Sequence, residues 1–509
     1  MAKNIAIFIY STNKYRKRKT MKYIFFSAIF LNLSCHYPHT ARPDPSIRHY
    51  VALRASGGKK NCCLLYLPLI LSFFASKKYR RIRDERWEKK LLTAMKLSLK
   101  ILFISLIHLT CHSLQKAVIN VPIADLLGSP ITTVRPDENI DIAYNNIPLC
   151  SAQTNSSFTC PRLHQLLYND IVELIKINND EAFIRTTHAF YMTPSSPTPQ
   201  TDYWTLKKNI TLLDDITNNI PLDHIPEPIA FTNKNNMTSN NINTATLQEP
   251  YYCATLKTNF SVGTRFLCTP LTKKKQNSSI TVYAIDYKTM QEHHISIPRK
   301  KCILTNQTKT NNERITDYVN LLKQWTCTKN GCIPYVWGGT SFTHPTQGSF
   351  KEVTQTTNNS DYTFYQYNKN ENTPKNGFDC SGVILRATQI CGLPYFCKNT
   401  TTIAQCLKPL NKEQQLIDGD LILVKGHVMA VSDIKNNLLI EARSYSHGYG
   451  KLHEIPINEV FEGIETYKDL CNAYFDKRII KRKDKQGKIR DTFTNLQLLS
   501  IASVWDEKP

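Results

Sequence analysis

Nowhere in its 509 residues does the chain hold about 20 consecutive apolar residues, the length a spanning helix needs. Zinc-finger spacing, HExxH, the P-loop and the aromatic RNA-binding signature are absent as well. No metal and no other cofactor is therefore expected, and nucleotide and nucleic-acid readings lose their usual motifs. Glycine is scarce, 17 residues beside 25 Pro without a short period, which excludes a collagen-like fibre. Acidic residues are outnumbered, 41 against 64 Lys and Arg. That imbalance is local. Residues 1–94 carry a net +16 of the total +23, and the remaining chain is only mildly basic at +7. A mild excess suits an anionic surface without implying nucleic acid. Hydrophobic residues at 41% and charged residues at 21% exclude a wholly disordered chain.

The length allows about three domains. Residues 1–94 read as a basic N-terminal extension, upstream of a functional start at Met95. From Met95 the stretch MKLSLKILFISLIHLTCHS has two Lys before a short apolar run, so 95–113 read as a signal peptide or membrane anchor. Export to the periplasm or cell envelope follows, with membrane association through the N-terminus as a possibility. Cys35 and Cys111 follow weak lipobox-like triplets, so cleaved and lipid-modified starts both stay open. Residues 114–235 alternate in short runs such as VELI and AFIRT around NND and form a first β module. An Asn-, Thr- and Pro-rich stretch over 216–248 reads as a linker or long loop, and residues 236–310 hold the linker and a second β module. From 311 the pattern becomes helical, with Ile315, Tyr318, Val319, Leu321 and Leu322 on one face. Residues 345–376 read as a polar inserted loop. NGFDCSGVILRATQICGL reads as a turn and helix stopped by Gly392, and three short strands follow over 418–444. The domain over 311–509 is α+β. The basic run 477–490 reads as a solvated hairpin.

Sixteen cysteines are present, twelve of them after position 111. Export would permit local disulfides such as Cys150–Cys160 and Cys327–Cys332. Cys380 stands apart. It begins a helix between small residues, where backbone N–H groups and the helix dipole favour a thiolate. His427, after Gly426 and at a strand start, is the candidate base. Glu441, a charge inside an apolar strand, is the candidate third member that orients the imidazole. His447 and His453 are alternatives to it.

At these residues the chain resembles the NlpC-type cell-wall cysteine peptidases, a papain-like family. The resemblance covers about residues 311–470 and rests on PYVWGG at 334–339, FDCSG at 378–382, GDLI at 419–422 and GHV at 426–428, in the family's order. RLHQLLYNDIVELI and SVGTRFL are similar to the bacterial SH3-like domains that precede such enzymes. The resemblance implies a papain-like catalytic domain, a helix packed on an antiparallel sheet, behind two small all-β SH3-like barrels. It implies Cys380 as nucleophile and His427 as base, with Tyr335 shaping the site. Asp379 and Ser381 would face the free amine of the substrate. The substrate would be a peptidoglycan stem peptide, cut at the γ-D-glutamyl–diamino acid bond and carrying a free N-terminal L-Ala. Two departures stand out: IEA, with Glu441, where the family has a His, and a long insertion between Trp337 and Cys380. A wall-binding protein with an inactive catalytic domain, and an amidase or acyltransferase on the same scaffold, are the rival readings.

Overall fold

In a computed structural model the described residues all belong to one compact unit, within Cys111–Pro509. The residues described are 114–147, 160–193, 196–218, 220–228, 244–269, 278–304, 309–327, 331–344, 350–357, 360–367 and 376–506. The N-terminal extension, the signal-like segment and Cys150 lie outside them. No helix among the described residues is long and apolar enough to cross a membrane.

The first module is a seven-stranded antiparallel sheet assembled between Gln115 and Leu212. Its alternating runs bury one face, with Ala117, Ile119, Val172, Ile184 and Tyr203 in the core. Asn179, in the NND turn, takes a positive φ of 54° between the strands Ile171–Asn178 and Glu181–Arg185. Short helices such as Ile140–Asn145 and Leu213–Thr217 interrupt the expected all-β texture. The expected linker begins later than its polar composition suggests: Ile216, Ile220 and Ile225 are buried with the core of the second module. That module runs from Thr244 to Leu304 as three small antiparallel groups of strands.

The α+β part opens with α1 (Asn311–Thr326). Thr310 and Glu313 close a capping box at its start, and its buried stripe is the one the periodicity predicts. α2 (Cys380–Cys391) begins at the N-cap Asp379 and ends at Gly392 in the left-handed conformation, φ 78°. A six-stranded antiparallel sheet follows. Its order is Lys408–Pro409, β7 (Gln497–Ser500), β1 (Leu421–Val424), β2 (His427–Asp433), β3 (Leu438–Arg443) and β4 (Lys451–Pro456). α1 and α2 cover one face through Val428, Ala430, Ile440 and Ala442. α3 (Tyr467–Phe475) covers the other, where Met429, Val431 and Leu439 are buried. A separate hairpin, β5 (Ile480–Lys483) with β6 (Ile489–Phe493), overlaps the basic run 477–490, but it is not the solvated hairpin expected, since Ile480, Arg482 and Asp484 are buried. Strand propensity explains the insertion too: it is a β-hairpin, Phe350–Thr357 with Ser360–Tyr367, rather than a loop.

The two modules are bound to the α+β part by hydrogen bonds and backbone pairing. Arg162 of the first module makes a two-pronged ion pair with Asp125 and donates to the Trp337 carbonyl at 3.2 Å. The Thr340 hydroxyl donates to Gln165 O at 3.1 Å, and the Ser341 hydroxyl to Val262 O of the second module at 2.6 Å. Phe190 bridges Cys397, with backbone bonds to Phe396 and Lys398 on either side.

Candidate active site

Cys380 sits at the first turn of α2, buried. The helix starts there because Asp379 Oδ1 accepts from Ser381 N at 3.0 Å and Gly382 N at 2.6 Å. Gly382 allows the close approach of the PYVWGG segment. A Cβ at that position would lie 2.0 Å from Gly339 O. The Val428 backbone N–H bonds the sulfur of Cys380, which puts the thiol beside the residue that follows His427.

His427 begins β2, and its Nε2–H donates to Glu441 Oε2 at 2.5 Å. Ile440 and Ala442 face the helices, so Glu441 between them points to the opposite face of the sheet, the face of Met429 and Val431. With Nε2 bound to the carboxylate, Nδ1 is the ring nitrogen left to act as a base. Glu441 is the third member that the geometry pairs with His427. His453, opposite it in register on β4, has Nε2 3.4 Å from Glu441 Oε1 but out of hydrogen-bonding alignment. His447 instead faces Asp491, Nε2 to Oδ2 3.4 Å.

The electrostatics depart from the thiolate expected at a helix start. Burial and the adjacent Asp379 carboxylate push the Cys380 thiol up to about 11, against weaker lowering by the Val428 N–H, Lys398 and Arg443. Asp379 also takes the Ser381 and Gly382 N–H groups, which leaves the Cys380 N–H at the helix start without a partner among the described residues. Burial, with Arg443 and Arg482 near, lowers His427 to about 3. At rest Cys380 is thus a thiol and His427 a neutral imidazole. Burial alone would raise the Glu441 carboxyl; Arg482 and the hydrogen bond from His427 outweigh it and hold it well below its ordinary range. Arg443 is buried, lowered to about 10 by burial and Arg482, and donates to Asp491 at 3.2 Å.

Asp379 and Ser381 are not open to a substrate amine. Asp379 Oδ2 accepts from Gly338 N at 2.9 Å and from the Lys398 ammonium at 2.5 Å. Oδ1 also takes the Ser381 hydroxyl at 2.9 Å. Five donors fill the carboxylate, and Lys398 is buried with it. The Ser381 hydroxyl lies between Asp379 and the Lys398 carbonyl. The chain's own ammonium takes the place expected for the substrate's. Tyr335 is buried in the same core as Cys380, with its carbonyl accepting from Tyr445 OH at 3.0 Å and its ring edge-on to that ring. Trp337, next in the same segment, is 41% exposed. Asp420 is not part of the site: it is fully buried and accepts from Ile417 N and Ile501 N, each at 2.9 Å.

Arg482, Arg443 and Lys398 were not foreseen as members of this cluster. Basic runs read as solvent-facing, and only the strand alternation IKRK, buried–exposed–buried at its first three positions, marks Arg482 as inward. Cys327 and Cys332 are not joined to each other. No group of three His, Cys, Asp or Glu among the described residues could hold a metal ion.

No protein-family model matches the chain, and no curated protein matches it. Among solved structures it is similar to an NlpC/P60 family protein from Bacillus cereus: 16% identity over 67% of this chain and 94% of that one, TM-score 0.41. It is also similar to NlpC2 from Trichomonas vaginalis: 12% identity over 68% of this chain and 95% of that one, TM-score 0.25. The peptidoglycan hydrolase RipB from Mycobacterium tuberculosis shares 18% identity over 31% of this chain and 62% of that one, TM-score 0.18. At such scores the chemistry has to be argued from the site itself.

Proposed function

We propose that the chain is a cysteine peptidase that hydrolyses peptidoglycan stem peptides at the γ-D-glutamyl–diamino acid bond, in an exported, SH3-like-domain-bearing protein. The observation that supports it best is the helix-borne Cys380 beside the strand whose His427 donates to a buried, ionised Glu441. The substrate class rests on the PYVWGG, FDCSG, GDLI and GHV segments. Cys380 attacks the γ-carbonyl while His427 Nδ1 takes the thiol proton. The Cys380 N–H stabilises the tetrahedral oxyanion. The imidazolium, paired with Glu441, returns its proton to the departing amine of the diamino acid, leaving a thioester. His427 then takes a proton from water, which attacks the thioester and frees the acid and the thiol.

Lys398 at Asp379 removes the basis for selecting a free N-terminal L-Ala, so that preference is not part of the reading. The test is product analysis by mass spectrometry with L-Ala-γ-D-Glu-diaminopimelate and its N-acylated form. Wild type should release diaminopimelate from both, at rates within about tenfold of each other, and Cys380→Ala from neither. Release by the alanine variant at the wild-type rate would refute the nucleophile. Silence of wild type on both, and on intact sacculi, would favour a wall-binding protein.

A further inference from the structure

A carboxylate in the place where this kind of site carries an imidazole has to stay ionised while fully enclosed. The group that achieves this comes from outside the sheet. β5 and β6 pair only with each other, apart from a bridge between Phe461 and Arg482. Their turn is tied by Asp484, which accepts from Gln486 N at 3.0 Å, Lys488 N at 2.9 Å and Arg490 Nε at 2.6 Å. Lys481 points outward to an exposed pair with Glu462, whereas Arg482 points inward and is 1% exposed. One terminal nitrogen of Arg482 binds Glu441 Oε2, the same oxygen that accepts from His427 Nε2. The other lies 3.5 Å from Met429 Sδ. Asp491 of β6 meanwhile binds Arg443, the cation nearest to Glu441 on its own strand. One hairpin thus supplies the cation that faces Glu441 and the anion that balances Arg443.

We propose that Arg482 is a positioning residue for the Cys380–His427 chemistry, keeping Glu441 a carboxylate and fixing the oxygen on which the His427 Nε2–H rests. The proposal builds on the function proposed above. A neutral carboxyl at 441 would neither fix the Nε2–H tautomer nor stabilise the imidazolium that forms when His427 takes the thiol proton. The charged and titratable groups around Glu441 are His427 from β2, Arg443 from β3, Tyr449 from the turn before β4, His453 from β4 and Arg482 from β5. Among the described residues, Arg482 and His427 bind the carboxylate in hydrogen-bonding alignment, and His453 stands beside it with Nε2 3.4 Å from Oε1.

The experiment compares the full chain with Arg482→Lys, Arg482→Met and the double variant Glu441→Gln/Arg482→Met, the last leaving no charge unpaired. Two readouts are followed from pH 3 to 9: hydrolysis of the peptides above, and the NMR titration of the His427 ring, which needs no substrate assignment. Removing Arg482 raises Glu441 through burial and also relieves a cation that depresses His427. Both effects move the acidic limb upward. Arg482→Met should shift that limb and the His427 titration up by about one unit or more, and its hydrolysis should recover toward wild type at pH 9. Arg482→Lys should lie between the two. The double variant should stay low at every pH, because no carboxylate remains to ionise. An unshifted limb in Arg482→Met, with the same fractional loss at all pH values, would overturn the proposal. Should Arg482→Met not fold, a double variant as active as wild type, or an Arg482→Lys profile identical to wild type, would do so. If the His427 titration shifts while no peptide is cut, the positioning role stands and the substrate reading fails.

Discussion

Two oxygens of Asp379 take five donors, and that count decides more about the site than the FDCSG segment does. Sequence places an acid beside the nucleophile; it does not say that Lys398, 19 positions away, fills it. The same limit applies to Arg482, hidden in a run of eight Lys and Arg within 14 residues. Cys380, His427 and Glu441 were legible because each is an oddity in its local pattern: a thiol at a helix start, a His after a Gly at a strand edge, a charge between apolar neighbours. Their protonation states were not, since these depend on burial by distant segments. One consequence is measurable. His427, at about 3, stays neutral well below the ordinary histidine range, so its ring remains unprotonated as the pH falls. The acidic limb of kcat/KM should therefore lie clearly below pH 6.5. A limb at 6.5 or above would contradict the buried, cation-flanked histidine described here.

At the scale of elements, α1, α2 and the strands β1 to β3 follow from periodicity, capping and glycine punctuation. The insertion was misread because its Thr, Gln and Asn content masks an alternation, Tyr362 and Phe364, that only cross-strand pairing with Gln355 and Val353 makes plain. The joints between elements carry the sharpest requirements. Gly382→Ala would drive a methyl group into the Gly339 carbonyl, which cannot swing aside as a side chain could. A loss of about 3 kcal/mol is expected in urea unfolding, at the upper end for overpacking. Asp420→Ala would strip the acceptor from Ile417 N and Ile501 N, fraying the start of β1 from the C-terminal turn. It should cost about 2 kcal/mol, the range for leaving buried donors unmet. Asp420 has no part in the helix start that holds Cys380, so iodoacetamide alkylation of the folded fraction should persist in Asp420→Ala.

For the whole molecule, the boundaries between modules were visible in composition, but their mutual burial was not. His164 and His188 of the first module lie fully enclosed near Arg386 and Lys398 of the catalytic part. Burial holds His188 at about 4 and His164 well below the ordinary value. The unfolded chain therefore binds protons between these values and about 6.5 that the folded chain refuses, so stability falls as pH drops through that window. The thermal midpoint should be lower at pH 5 than at pH 7. His164 has no hydrogen-bond partner among the described residues. His164→Phe should flatten that decline, and a steeper decline in the variant would contradict the assignment. The central claim, that Cys380 is the acylated nucleophile, is tested most directly by acid-quenching the protein with L-Ala-γ-D-Glu-diaminopimelate during turnover and mapping its cysteine peptides by mass spectrometry. The account predicts an L-Ala-γ-D-Glu adduct on the Cys380 peptide alone, absent in His427→Ala. Turnover with an adduct on another cysteine, or with Cys380 free throughout, would contradict it.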